Sequence, residues 1–394
     1  MSLYSDKQIQ TKLVRVAYHS NSRSEFRLPN ANPCLSNIRI INVGAAQTGG
    51  THVFYPVTSG VCSLINQISL YCDNQLVSQV RDAHKLYAFL NCRQTNNEEL
   101  SRTSELKHTG LGYLVLENEQ TRIVGQTPLT NDVNTTPRGW VALDNALRFL
   151  QGTTQVPTDV ENWRVVIEWS KDLTNFNAGT VGHVNPTSIE ICEPVLILDG
   201  VVGTKSPNEI EVRYWDLESD RIVITDVPAP QAGVVQSVNA KMDGFNKKFV
   251  GRMLLQNDMA EHLNLFMGND RSIPQLAERI NLTVNGMKML SFDGISVNNK
   301  TQMLNDTWGA MCCAFFNDKT ELEGSADIYG ANTNMDGFGY GGISLSQRVN
   351  DLQWQYERTG DANVSHNSAF NFMVYAEVAK QFSYKSGKVI VANA

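Results

Sequence analysis

Two stretches of this chain more than two hundred residues apart, Ile68–Asn74 (ISLYCDN) and Ile280–Gly286 (INLTVNG), read as the same strand and turn. In each, apolar side chains alternate with polar ones, and the run ends in a dipeptide suited to a tight hairpin. Three further landmarks keep a similar spacing. Arg39-Ile40-Ile41 matches Arg252-Met253-Leu254, the Pro29 after Phe26-Arg27-Leu28 matches the Pro228 after Ile222–Val227, and Val165-Val166-Ile167 matches Met373-Val374-Tyr375. The offsets are 212 for the opening pair and then 213, 199 and 208. Chance rarely keeps four offsets so close, whereas duplication of a domain does. The chain therefore reads as two all-β domains in series, each roughly two hundred residues long, a division that 394 residues accommodate.

Strand signals run through both halves. They fall at 37–43, 52–57, 64–72, 111–116, 163–169, 188–198 and 222–227, and then at 249–255, 279–284, 352–356, 369–378 and 388–392. Short runs rich in Val, Ile and aromatics, separated by Asn, Gly, Thr and Pro, predict sandwiches or barrels rather than alternating strand and helix. Two helices are predicted in connecting loops. Val141–Gln151 places Val141, Leu143, Leu147 and Leu150 near one face, and Asp258 with Glu261 makes a capping box before Leu263, Phe266 and Met267. The polar stretches 93–107, 125–138 and 317–342 predict large surface loops.

Composition narrows the function. With 42% hydrophobic and 19% charged residues the chain can bury a core. Its net charge of −7 and pI near 5.6 supply no overall basic field for a polyanion, which argues against specific binding of nucleic acid. Seven cysteines without a CxxC pair suggest neither a disulfide framework nor a zinc ribbon. The polar start, Met1–Gln10, and the free thiols point to synthesis inside a cell rather than secretion. No apolar run is long enough to span a bilayer as a helix.

Candidate chemistry is sparse. Gly337-Phe338-Gly339-Tyr340-Gly341-Gly342 satisfies GxGxxG, but it follows an Asn-rich loop and precedes an alternating run, so no βαβ unit surrounds it. The histidines at 19, 52, 84, 108, 183, 262 and 366 lack metal-ligand spacing, and Cys312-Cys313 would point to opposite faces of a strand. Glu168 and Glu377 lie in strands that the repeat equates, an arrangement to compare with the paired acids of glycosidases, although an outward, solvated position accounts for each. The sequence thus assigns no catalytic, cofactor-binding or metal residue and predicts a protein that is not an enzyme. Sequons at Asn134, Asn281, Asn299, Asn305 and Asn363 reflect Asn and Thr richness. Residues 1–27, with Lys7, Lys12, Arg15, Arg23 and Arg27 against Asp6 and Glu25, read as a mildly basic N-terminal arm.

The duplicated strand ending in an Asn-containing turn, the large Asn-, Thr- and Gly-rich loops and the lack of a catalytic motif resemble the double jelly-roll major capsid proteins. These belong to the viral lineage that includes tectiviruses, adenoviruses, virophages and polinton-like viruses. The likeness is carried by Gly60–Val77, Asn162–Trp169, Gln275–Leu290 and Asp351–Tyr356.

The resemblance implies two tandem eight-stranded jelly-roll β-sandwiches with short loop helices: an arm at 1–27, a first roll at 28–203 and a second at 204–394. It implies a homotrimeric, pseudo-hexameric capsomer that tiles an icosahedral shell, located in the virion. Its partners would be other copies, penton and minor or cement capsid proteins, and an inner membrane reached through the arm, with no cofactor. Loops 93–138 and 317–342 would knit neighbouring subunits. A second reading is a jelly-roll lectin or receptor-binding spike, with Trp140, Trp215, Trp308, Phe338 and Tyr340 stacking on sugars.

Overall fold

The computed structural model describes residues 9–29, 38–55, 60–87, 113–117, 120–124, 128–144, 146–152, 162–173, 176, 182, 184–201, 209–227, 234–245, 248–257, 279–288, 295–296, 343–344, 352–359 and 368–393. The chain divides into two compact units. The first holds Met1–Leu217 and Lys380–Ala392, the second Glu218–Leu263 and Asn269–Ala379.

In chain order the first strands are β1 (Ile9–Arg15), β2 (Tyr18–His19), β3 (Arg23–Arg27), β4 (Arg39–Thr48), β5 (Ile65–Cys72) and β6 (Gln75–Arg81). They are followed by β7 (Tyr113–Glu117), β8 (Gln120–Val124), β9 (Arg138–Ala142), β10 (Trp163–Trp169), β11 (Ser188–Ile191) and β12 (Val195–Val201). One sheet runs β1-β12-β4-β11, with β9 pairing β4, and the other runs β2-β3-β10-β5-β6; β7 and β8 form a separate hairpin. Strands β11 and β12 pair successive parts of β4, so they act as one strand interrupted at residues 192–194.

The later strands are β13 (Glu209–Val227), β14 (Val235–Lys241), β15 (Phe249–Asn257), β16 (Arg279–Val284) and β17 (Met287–Lys288). After them come β18 (Ile295–Ser296), β19 (Ile343–Ser344), β20 (Leu352–Thr359), β21 (Ser368–Lys385) and β22 (Lys388–Asn393). Their sheets run β13-β21-β15-β19, with β22 on β21, and β14-β20-β16-β17, with β18 on β16. The order β3-β10-β5-β6 thus recurs as β14-β20-β16-β17, and β1-β12-β4 as β13-β21-β15. Strand pairing is antiparallel throughout the described residues.

The repeated hairpins have the same turn. Asp73 and Asn74 sit at φ 45° and 65°, and Asn285 and Gly286 at 51° and 78°. Positive φ at both central residues is what a two-residue type I′ loop needs to match strand twist. Register fixes the equivalences across each sheet. Val165 stands between Phe26 and Leu70, and Trp354 stands between Ala240 and Leu282. The matched rows give offsets of 214 for β3 and β14, 212 for β5 and β16, but 189 for β10 and β20.

The register corrects two of the four sequence landmarks. Val165–Ile167 lies on β10, whose counterpart is β20, so its match to Met373–Tyr375 on β21 fails. Pro29 follows β3, whereas Pro228 follows β13, the counterpart of β1. The first error arises because the connection from residue 72 to residue 163 is longer than that from 284 to 352.

Other expectations also shift. Residues 9–27, expected as an arm, form β1, β2 and β3; β1 pairs β12 along its length and Phe26 is fully buried. The adjacent Leu13 and Val14 break the alternation of β1, which explains the weak signal. The predicted helix at 141–151 is instead the end of β9 followed by a short turn of helix at Phe149–Gly152. Its apolar residues are buried as expected, but Val141 pairs Ile40 and the Leu143 amide donates to Ile38 O at 2.9 Å. Residues 52–57 form no strand in the described part, 52–55; Tyr55 is held by side-chain bonds instead. The predicted helix after Asp258 lies outside the described residues.

The first unit's core lies between its sheets. On β10, Trp163, Val165, Ile167 and Trp169 are buried on one face while Arg164 and Glu168 on the other are half-exposed and only Val166 between them is buried, a near period-two pattern. Leu196 and Leu198 on β12 and Ile40 on β4 supply the other layer. Burial of a side chain of this size contributes about 1.5–3 kcal/mol.

Candidate functional site

The residue chemistry of the sequence disperses in the fold. Glu168 lies on β10 in the first unit and Glu377 on β21 in the second, on strands that are not counterparts. His19 is a structural hub. Its Nε2 donates to Ile191 O at 3.1 Å, and its Nδ1 accepts from Ser24 Oγ at 2.8 Å while that oxygen accepts from Trp169 Nε1 at 2.9 Å.

Among the described residues no group of three His, Cys, Asp or Glu side chains is placed to hold a metal ion. Cys62, Cys72 and Cys192 are buried free thiols, and burial pushes the thiols of Cys72 and Cys192 upward, away from the thiolate form. The Tyr55 phenol is likewise raised by burial; its oxygen accepts the Ala45 amide at 2.8 Å and donates to Pro137 O at 3.2 Å. These groups stitch the sandwich together.

The two wet faces of the first unit differ in chemistry. On the β3-β10-β5 face, Glu25 accepts from Arg23 Nη2 at 3.1 Å and lies 3.5 Å from Arg164 Nη1. Arg164 Nη2 also donates to Asn74 Oδ1 at 2.9 Å, and its guanidinium lies 5.3 Å from the centre of the Tyr71 ring. This face is polar and laced with ion pairs, each adding about 0–1 kcal/mol, although the buried Nε of Arg164 has no hydrogen-bond partner among the described residues. The β1-β12-β4 face carries an aliphatic patch, with Arg39 opposite Ile197 and Thr11 bonded to Asp199 beside it. Leu13 is 68% exposed beside Ile197, with half-buried Val195 and Ile41 along the same face and Arg15 opposite Val195. Tyr18 is 55% exposed at the adjoining edge strand and Ile390 58% on β22. Clustered exposed aliphatics mark surfaces that meet another molecule.

The aromatics proposed to stack on sugars divide. Trp140 on β9 and Trp215 on β13 are half-buried within strands, and Trp308, Phe338 and Tyr340 lie outside the described residues, as does the glycine-rich run. Of the expected knitting loops, 317–342 lies outside them too, and the first contributes the β7–β8 hairpin and residues 128–138. Asn134 is exposed there, its Nδ2 donating to Asp132 Oδ1 at 3.0 Å.

No family model and no curated sequence matches the chain. Solved structures do. The PBCV-1 virus capsid aligns over 100% of this chain and 98% of its own at 10% identity and TM-score 0.57. PBCV-1 VP54, as fitted into a cryo-EM reconstruction of the virophage Sputnik, gives TM-score 0.59 at 10% identity with the same coverage. The fold is a double jelly roll. The Sputnik virophage structure adds TM-score 0.54 at 12% identity over 100% of this chain and 91% of its own. At such identities the likeness is one of architecture, and it spans both rolls. In the double jelly roll, β1, β12 with β11, β4 and β9 face β3, β10, β5 and β6. The second roll opposes β13, β21, β15 and β19 to β14, β20, β16 and β17.

Proposed function

We propose that the chain is a viral major capsid protein, three copies of which close into a capsomer of six rolls that tiles an icosahedral shell. The observation that carries this reading is one chain holding two sandwiches of the same strand order. A threefold ring of two-roll chains has a pseudo-hexagonal outline, so one gene product can fill a flat lattice through closed contacts within the capsomer and repeated contacts between capsomers. The aliphatic patch of the β1-β12-β4 face, with Leu13 largely exposed, suits contact with another copy, whereas the ion-paired face around Arg164 suits water.

On this reading the first roll runs to about residue 203 in sequence and the second follows. Penton and minor capsid proteins complete the vertices and seams, and the protein resides in the virion. An inner membrane is the further partner proposed for the N-terminal segment. Arg27, exposed on β3, is a cation there suited to anionic lipid.

Electron microscopy of the purified protein tests the proposal. Hexagonal particles that associate edge to edge are expected, and round single-chain particles at assembly concentrations would reject it. Replacing Arg27 by Glu is expected to leave the hexagons intact and weaken co-sedimentation with phosphatidylserine vesicles; unchanged co-sedimentation removes the membrane from the reading.

A further inference from the structure

Asp216 on β13 is fully buried, and its two oxygens take different partners. Oδ1 accepts from the Ser78 hydroxyl on β6, which is also fully buried, and Oδ2 accepts from Lys380 Nζ at 2.6 Å. Lys380 opens the part of β21 that clusters with the first unit, and its side chain keeps 12% exposure. The next inward-facing positions, Phe382 and Tyr384, are 1% and 3% exposed. The Phe382 ring lies 5.3 Å from Phe149 and 5.7 Å from Trp163, and Tyr214 meets Phe149 edge-on at 5.0 Å. Tyr214 also donates its hydroxyl to Val77 O at 2.6 Å, tying β13 to β6. All these residues belong to the first unit, although the chain leaves that unit after Leu217 and Lys380 follows only after most of the second unit's sequence.

We infer that the first unit carries a docking site for the end of the chain's own β21, with Asp216, Ser78 and the Phe149–Trp163 pair as receptor and Lys380, Phe382 and Tyr384 as the docked side chains. Two physical costs make the site obligatory. A carboxylate taken out of water needs its cation, and removing one partner of a buried pair is far more damaging than never having had the pair. The stacked Phe149 and Trp163, 5.8 Å apart, would expose the ring surface that Phe382 covers. The first unit is therefore finished last, after synthesis has passed residue 380. The site acts as a length check: a chain ending earlier has an open aromatic cleft and a buried carboxylate that lacks its Lys380 partner in its first unit. This inference concerns the order in which the chain closes and stands whether or not the protein builds a capsid.

Hydrogen exchange on the full-length chain tests it. Lys380→Met is expected to speed exchange of the β6 and β10 amides roughly a hundredfold while the β16 and β20 amides of the second unit keep their rates. Combining it with Asp216→Asn removes the stranded charge and is expected to restore part of the protection. Where Lys380→Met yields no folded chain, Phe382→Leu reports on the same site, with about tenfold faster exchange in the same two strands. Unchanged β6 and β10 rates in the folded variants, or equal acceleration in both units, would overturn the inference.

Discussion

The two rolls share a strand order but not a set of connections. From β3 to β14 the matched positions are 214 apart, and from β5 to β16 they are 212 apart. Beyond those strands the spacing falls to 189 for β10 and β20. What stays fixed is the part in which a one-residue slip would turn every core side chain outward. What changes is the connection between β5 and β10, whose longer form includes the β7–β8 hairpin and β9. Pairing is constrained by burial on one face, whereas loops carry no such constraint and can vary in length at small entropic cost.

The sharpest challenge to this comparison is Phe26→Ala. Phe26 is fully buried at the row that Ala240 occupies in the second roll, so the change should cost the chain about 3–5 kcal/mol and be confined to the first unit. Urea unfolding gives the magnitude, and exchange rates in β14 and β20 that rise as much as those in β10 would show that the rolls are not separately packed.

Alkaline pH should come next. Burial raises the ionisation of Cys72, Cys192, Tyr55 and Tyr87 in the folded chain, so the unfolded chain releases these protons first. Stability is therefore full below the ordinary thiol and phenol values and declines as pH rises from about 8.5 onward. The urea midpoint at pH 7, 9 and 10.5 checks the sign; a midpoint that climbs contradicts it.

Tyr55→Phe should cost about 1–3 kcal/mol, because the buried Ala45 amide loses its acceptor and Pro137 O its donor. Thermal denaturation reads this directly, and an unaltered Tm would mean that both groups find other partners.

The smallest expected effects come from exchanging the matched turns. Gly286→Asn keeps a residue that tolerates positive φ and has open space around it, so a cost below about 1 kcal/mol follows. Asn74→Gly relaxes the same backbone but removes the acceptor of the Arg164 bond, which offsets the gain. Equal and opposite shifts from the two swaps would mean that the Arg164 contact contributes nothing.

Much of the fold was legible because its strongest signals are local. Trp163–Trp169, rich in Trp, Val and Ile, appears as the strand expected, and both hairpin turns announce themselves through Asp-Asn and Asn-Gly. Short edge strands such as Tyr18–His19 leave too few residues for a period to show. The apolar stripe at 141–150 was read with the helical period because turns and strand ends can bury the same residues without any regular period. Of the candidate site, the buried charge pair was present in the sequence without being recognised. Asp216 shares strand parity with Tyr214, and Lys380 with Phe382 and Tyr384, so each charge occupies an inward position. Opposite charges on buried parities are a usable signal, but their separation along the chain hides which partner each one needs. The aliphatic outer patch escaped notice for a related reason: Leu13 and Ile197 become neighbours only through the β1–β12 register.

The solution mass of the purified chain tests the central claim most directly. Light scattering at neutral pH should give about 131 kDa, three times the 43.8 kDa of one chain, because two rolls per subunit build a six-roll ring through threefold closure. A stable mass of 43.8 kDa across the concentrations at which shells would form would contradict a capsomer-building chain.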